Sequence, residues 1–363
     1  MTPGRPRHRP DLRRVVTSHS WRACLAALVL AAAGCSELHP QVAYPQLSTE
    51  QRSADEAHAQ DALLDRLREQ DRRVAAVAYR LATASLELCA EKAPQTGLVL
   101  SSARQFSPRL RAVARRALGL GDGVSIEAVA PGTPAARSGL REGDELMAVG
   151  GAGLQAVGGD PDRAPANYTG VASAQAALDQ ALAHGPVTLT LRRGADVLSA
   201  TLASEPGCGY DVQVLPSREL NASADGRHVF ITTALLRYAV DDDTLAVVLG
   251  HEFAHDVLHH RLKLDQAGIA RGVLGPLGSN PASQLTAERE ADYVGLYLTA
   301  RAGYDISAAP QFWARLAADY GDAWYVRLTH PGSLERAASL EATKAEILAK
   351  LKAGQPLRPN PAR

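Results

Sequence analysis

Between Leu63 and Leu88 the apolar residues recur at intervals of three, four or seven: Leu63, Leu67, Val74, Val77, Leu81 and Leu88. That spacing draws one stripe along a helix. Ser48-Thr49-Glu50-Gln51, just ahead of it, has the form of a capping box. A helical segment is therefore expected over Ser48 to Lys92, with its stripe packed on a globular body. A free coiled-coil stalk is the other reading, but the charges flank the stripe poorly for that. Further on, Val171 to His184 reads as a helix, and Val187 to Leu191 and Val197 to Leu202 read as strands around the Arg193-Gly194 turn. Val229 to Thr233 is rich in β-formers and follows the Asp225-Gly226 turn signal, so it is a strand, either at an edge open to an extended peptide or in a core. Thr244 to Gly250 is apolar and helix-like, and Glu288 to Arg301 is a second helical run. Gly150 to Gly170 is rich in Gly and Pro and is expected to be a mobile loop. The Pro-rich tail, Gly354 to Arg363, is expected to be disordered.

Composition narrows the class. The chain has 363 residues, 46% apolar but only 5% aromatic, which is ample for two or three cores built on Ala, Leu and Val. Basic and acidic residues balance at 39 each. The only strong positive cluster is the leader Arg5, Arg7, Arg9, Arg13, Arg14 and Arg22, so no nucleic-acid footprint is seen. Behind that leader Ala23 to Ala33 is an apolar run of 11 residues, shorter than the roughly 20 needed to span a bilayer. It ends in Ala32-Ala33-Gly34-Cys35, small residues at a cleavage point. Cysteine use agrees with export. With Cys24 in the leader and Cys35 at the cleavage point, Cys89 and Cys208 remain as one pair, a disulfide or two buried thiols.

The candidate chemistry lies in His251-Glu252-Phe253-Ala254-His255. Histidines four apart sit on nearly one helix face and can converge on an ion, while the glutamate between them lies beside the metal as a candidate general base. A catalytic zinc takes three protein ligands and a water. A third histidine at the metzincin spacing would fall at 261, which is Arg261. Glu288-Arg289-Glu290-Ala291-Asp292 supplies an alternative, with Glu288 and Asp292 on one face. One can bind metal while the other hydrogen-bonds a ligand histidine and fixes its tautomer. His259 and His260 are expected on the solvated end of the motif helix.

The pairing of H-E-F-A-H with E-x-x-A-D resembles the zinc metalloendopeptidases that include HtpX, the CAAX-prenyl proteases and the Oma-type quality-control proteases. The likeness runs from Val212 to Leu348, with Thr329-His330-Pro331 and Arg336 similar to the family's late H-P…R segment. It implies one Zn2+ held by His251, His255 and Glu288, Glu252 as base and Asp292 behind a ligand histidine. It also makes His330 the candidate donor to the oxyanion. Ala234 and Ala337 depart from the family pattern, and Leu262 to Ser283 has no run long enough to span a bilayer, but none of these touches the ligands. The leader resembles a bacterial lipoprotein signal with Cys35 as the lipidated residue, and Ser36 after it resembles the outer-membrane default. Residues 107–204 resemble a bacterial PDZ domain through P-G-T-P-A-A-x-x-G-L-x-x-G-D, Pro131 to Asp144. Gly119, Leu120 and Gly121 are its candidate peptide-binding loop, although the following Asp122 stands where a large apolar residue is usual.

The expectation is an α+β chain: signal peptide 1–34, tether 35–47, N-terminal helical region 48–106, PDZ-like β-rich domain 107–204, mainly helical zincin-type metallopeptidase domain with a small β-hairpin or sheet 205–353, and tail 354–363. Its expected activity is hydrolysis of peptide bonds in misfolded or envelope-assembly polypeptides, in the periplasm, anchored to the membrane through Cys35. A zinc-stabilised PDZ-type binding protein or chaperone is the alternative. Glu252 discriminates, since a structural zinc needs no base between its histidines.

Overall fold

The computed structural model describes residues 46–155, 158–160, 162–268, 281–321 and 332–361. The chain falls into two units, 1–54 and 55–363. Of the first, residues 46–54 carry the start of helix α1 (Thr49–Ala84). Its capping box is formed: Gln51 N–H donates to Ser48 Oγ at 3.0 Å, and Ser48 N–H donates to Gln51 Oε1 at 2.9 Å. The second unit is α+β, built on three sheets among the described residues.

The α1 stripe packs on the body of the second unit, as its periodicity requires. Val74, Val77 and Leu81 are buried against Leu235, Leu249, Phe253 and Leu298. Leu64, not Leu63, continues the stripe: Leu64 is buried with Leu118 and Leu120, and Leu63 is exposed. After α1, strand β1 (Lys92–Gln95) pairs antiparallel with β8 (Glu205–Cys208), and Cys89 is joined to Cys208 by a disulfide with Cα atoms 5.5 Å apart. This paired neck brackets a six-stranded sheet of β2 (Leu98–Ser101), β3 (Ser125–Val129), β4 (Glu145–Val149), β5 (Ala152–Gly153), β6 (Val187–Arg193) and β7 (Asp196–Leu202), in the order β2-β3-β4-β6-β7 with β5 on β4. The sheet thus begins at Leu98, ahead of the 107 expected from sequence. Helices α2 (Pro108–Ala117) and α3 (Pro134–Arg137) lie in its connections, and α4 (Thr169–Leu182) buries Val171, Ala174 and Leu178 against Ile126, Leu189 and Leu191. The 150–170 segment is not loose where it is described. Buried Arg104 and Arg111 donate to the carbonyls of Gly158, Gly159, Ala164 and Pro165.

The remaining chain forms β9 (Asp211–Leu215), β10 (Ala222–Ala224), β11 (His228–Thr232), α5 (Thr233–Tyr238), α6 (Asp242–Val257), α7 (His260–Gln266), α8 (Pro281–Arg301), α9 (Ala308–Tyr320) and α10 (Ser333–Lys352). The strand order is β10-β11-β9, with β11 antiparallel to β10 and parallel to β9. Of the two sequence readings of β11, the core one holds: it is the central strand, and the edges belong to β9 and β10. The tail is docked rather than disordered, because its few polar groups find partners. Asn360 N–H donates to Tyr293 Oη at 3.0 Å and its Nδ2 to Glu346 at 2.8 Å, while Arg301 holds the carbonyl of Leu357. No helix among the described residues is long and apolar enough to cross a membrane.

Helix α6 starts at an Asp241 N-cap that accepts from Thr244 N–H at 2.7 Å, with Asp242 and Asp243 favoured by the first-turn dipole. It crosses α8 at Gly250 and Gly295, so closely that a Cβ on Gly295 would lie 2.8 Å from Gly250 backbone atoms and from His251 Cα. The three atoms nearest that Cβ are all backbone, so no side chain can yield to it. Gly295→Ala is therefore expected to destabilise the protein by about 1–3 kcal/mol and to displace α8 from α6, weakening metal binding as well. Chemical denaturation with a parallel zinc titration checks this, and an unchanged midpoint would mean that the crossing is not as tight as described.

The free edges of β2 and β9 both line one cavity of about 840 Å³, with α1 and α4 as further walls. Asp71, Leu98, Val99, Val171, Asp179 and Asp211 face it. Burial, then the nearby charge of Glu127, push the Asp71 carboxyl up to about 8 against the pull of Arg68. The folded protein thus favours protonated Asp71, a stabilisation complete below the ordinary value of 3.8 and lost as pH climbs toward 8. Asp71→Asn escapes that loss. Its advantage over the parent should grow between pH 5 and pH 9 toward a ceiling of about 6 kcal/mol, read as the difference in melting temperature. A pH-independent difference would remove this account of Asp71.

Candidate metal centre

The α6 helix turn places His251 and His255 side by side, and α8 crosses so that Glu288 and Asp292 face them. The two Nε2 atoms are 3.2 Å apart, with Glu288 Oε2 3.4 Å from His251 Nε2 and Oε1 3.5 Å from His255 Nε2. One ligand atom from each of His251, His255 and Glu288 lies within 4.8 Å of the others. This donor set, two imidazole nitrogens and one carboxylate oxygen, fits a catalytic zinc. Each Nδ1 is engaged elsewhere, which leaves the Nε2 atoms to converge.

His251 Nδ1 lies 3.0 Å from Asp292 Oδ1. Asp292 also accepts from Arg336 Nε at 2.9 Å and from Nη2, and the guanidinium lies over the Trp313 ring at 3.4 Å from its centroid. Burial opposes the charge on Asp292, but Arg336 and His251 hold its carboxyl below the usual range. Burial and Arg336 pull the His251 imidazole down, yet its hydrogen bonds to Asp292 and Glu288 prevail and raise it to about 9. Burial and the neighbouring charge of His251 push His255 down to about 3. Glu252 is buried on the same helix, between the two histidines in sequence.

Several residues were missed or misplaced from sequence. His260 is buried rather than solvated. His259 takes a left-handed conformation (φ 52°) that ends α6 and turns His260 back, so that its Nδ1 lies 3.0 Å from His255 Nδ1 and its Nε2 3.0 Å from Glu290 Oε2. The adjacent His259-His260 pair is the sequence signal, but nothing in it announces the left-handed turn that carries His260 inward. Asp256, for which no signal was read, accepts Gly226 N–H at 2.8 Å and so fastens the β10–β11 turn to α6. Burial, then the charges of Asp225 and Glu252, push its carboxyl up to about 7 although the Gly226 bond opposes this. His330 and Cys35 lie outside the described residues. Gly119, Leu120 and Gly121 do not sit at a free edge, because the strand after them, β3, is interior. Leu120 is buried in a small core, its N–H donates to Ala114 O at 3.4 Å, and Gly121 N–H donates to Ser125 Oγ at 3.3 Å. Asp122 is paired with Arg115 at 2.7 Å.

A helix-borne H-E-x-x-H facing a glutamate and an aspartate from a crossing helix defines a metallopeptidase domain. Residues 190–274 and 272–344, less than half of the chain, match the model of Peptidase family M48, and the relatives similar to this part are named as metalloendopeptidases. Over 146 residues the chain is 31% identical to Mitochondrial metalloendopeptidase OMA1 of Schizosaccharomyces pombe, covering 34% of this chain and 43% of that protein. It is 29% identical over 150 residues to Putative beta-barrel assembly-enhancing protease of Vibrio cholerae, covering 32% of this chain and 31% of that one. The match thus spans less than half the length of either relative. A crystal structure of the HtrA3 PDZ domain bound to a phage-derived ligand aligns with 32% of this chain and 89% of its own, at 23% identity and a TM-score of 0.23, too slight a likeness to bear on fold or binding.

Proposed function

We propose that the protein is a zinc endopeptidase of the bacterial cell envelope, anchored through a lipid on Cys35 on the periplasmic side, at the outer membrane rather than the inner. One zinc per chain would be held by His251, His255 and Glu288, with Asp292 orienting His251. Bound there, zinc supplies a water of near-neutral pKa and polarises the scissile carbonyl. Glu252 would serve as the general base and as the proton donor to the leaving amine, and His330 would be the hydrogen-bond donor to the developing oxyanion. The observation that carries the reading is the convergence of His251, His255 and Glu288, with Glu252 next along the same helix. The name of the Vibrio cholerae relative supports an envelope client, and polypeptide substrates follow from the family. Residues 98–202 act as a PDZ-like module that controls access. The free edge of β2 beside α4, with the cavity below it, suits an extended polypeptide added as a strand.

The test uses the soluble chain from Ser36 onward, which lacks the anchor residue Cys35. Zinc measured by elemental analysis should approach one per chain, and cleavage of unfolded casein should stop with a chelator and return with zinc. A protein that takes up no zinc at neutral pH would overturn the proposal. For the anchor, mass spectrometry of the mature N-terminus should find a modified Cys35, and an unmodified terminus would remove it.

A further inference from the structure

We infer that His260 and Glu290 are positioning residues for the metal, His260 fixing the tautomer of His255 and relaying to it the charge of Glu290. The inference rests on the reading of His251, His255 and Glu288 as ligands. Its basis is a count of hydrogens along a chain of three side chains. Two imidazole nitrogens facing each other at 3.0 Å, Nδ1 of His255 and Nδ1 of His260, need one hydrogen and one lone pair between them. The other nitrogen of His260 faces Glu290 Oε2 at 3.0 Å, and a carboxylate only accepts. A neutral His260 therefore carries its hydrogen on Nε2, toward Glu290, and leaves Nδ1 as an acceptor. The hydrogen between the two rings must then sit on Nδ1 of His255. That leaves the lone pair of His255 on Nε2, the atom turned toward His251 and Glu288.

The two ligand histidines are thus oriented alike but by unequal means. His251 presents Nδ1 directly to Asp292 at 3.0 Å, whereas His255 reaches its carboxylate through an intervening imidazole. Helix α8 supplies both of those carboxylates and Glu288 as well. The relay depends on a backbone break. Along an unbroken helix a residue five positions on points about 140° away, so His260 would not meet His255. The left-handed turn at His259, φ 52°, brings it back, and His260 is 3% exposed where it lands.

The test is zinc affinity of the full mature chain, measured by competition with a chromophoric chelator at pH 7, with the melting temperature of the zinc-free protein as a fold control. His260→Phe keeps a ring but removes both nitrogens, and should weaken zinc binding by about 10–100-fold. His260→Gln restores an acceptor for His255 and should recover part of that loss. Glu290→Gln lies on a half-exposed side chain, so it tests the relay even if His260→Phe folds poorly. It should weaken zinc by several-fold, and should add nothing in the His260→Phe background, because its charge acts through His260. A purely structural role predicts additive losses instead. Affinities within twofold of the parent in both single variants, or additivity in the double variant, would overturn this inference alone. A parent that binds no zinc overturns it together with the reading beneath it.

Discussion

Glu252→Gln is expected to leave zinc content unchanged and to abolish cleavage of unfolded protein. The substitution keeps the length and shape of the side chain but replaces a proton acceptor by an amide that cannot serve as a base. Glu252 is not among the atoms that converge on the candidate ion, which come from His251, His255 and Glu288, so the metal should stay. Loss of a general base costs about 100- to 10,000-fold in rate, so residual activity near the detection limit is the expectation. The measurement is casein cleavage by parent and variant at equal zinc occupancy. A variant keeping more than a tenth of parental activity would take the proton-transfer role away from Glu252. Zinc in both proteins and cleavage by neither would favour the binding-protein alternative or a gated enzyme, and removal of the β2–β7 module would then separate those two.

The motif helices were legible because their determinants are local. Histidines four apart on an apolar run must share a helix face, and Glu288 and Asp292 obey the same spacing, so the facing pair could be named before the crossing was seen. The α1 stripe was legible for the same reason, although its N-terminal end shifted by one residue to Leu64. Features set by long-range pairing were not legible. Nothing local says that β11 is central and β9 an edge, or that Leu98 to Ser101 leaves the helical region to become the outer strand of a sheet. Gly119 to Gly121 looked like a peptide-binding loop, but that role needs a free strand edge after it, and β2 takes that edge from β3. The His260 relay was hidden by a backbone event, a left-handed turn at a residue other than glycine, that propensity does not announce. Composition misled at the tail, where a Pro-rich segment was held by Tyr293, Arg301 and Glu346 instead of drifting in solvent.

Glu288→Ala should cost most of the zinc. If three ligands share a binding free energy of roughly 12 kcal/mol, losing one weakens the site by on the order of a thousandfold. The fold should persist, because the zinc-free variant no longer buries a carboxylate beside two imidazoles and leaves only a small space at the α6–α8 crossing. Two readings separate these effects. Elemental analysis after dialysis against metal-free buffer should find zinc in the parent and little in the variant. Added zinc should raise the parental melting temperature, since a ligand that binds only the folded state stabilises it by mass action, and should leave that of the variant unmoved. Asp292→Asn provides the contrast. It keeps all three ligands but weakens the hold on His251 and leaves Arg336 without its buried anionic partner, so it should lose stability as well as affinity. Full zinc in Glu288→Ala would place the third ligand elsewhere and reduce Glu288 to a neighbour of the histidines.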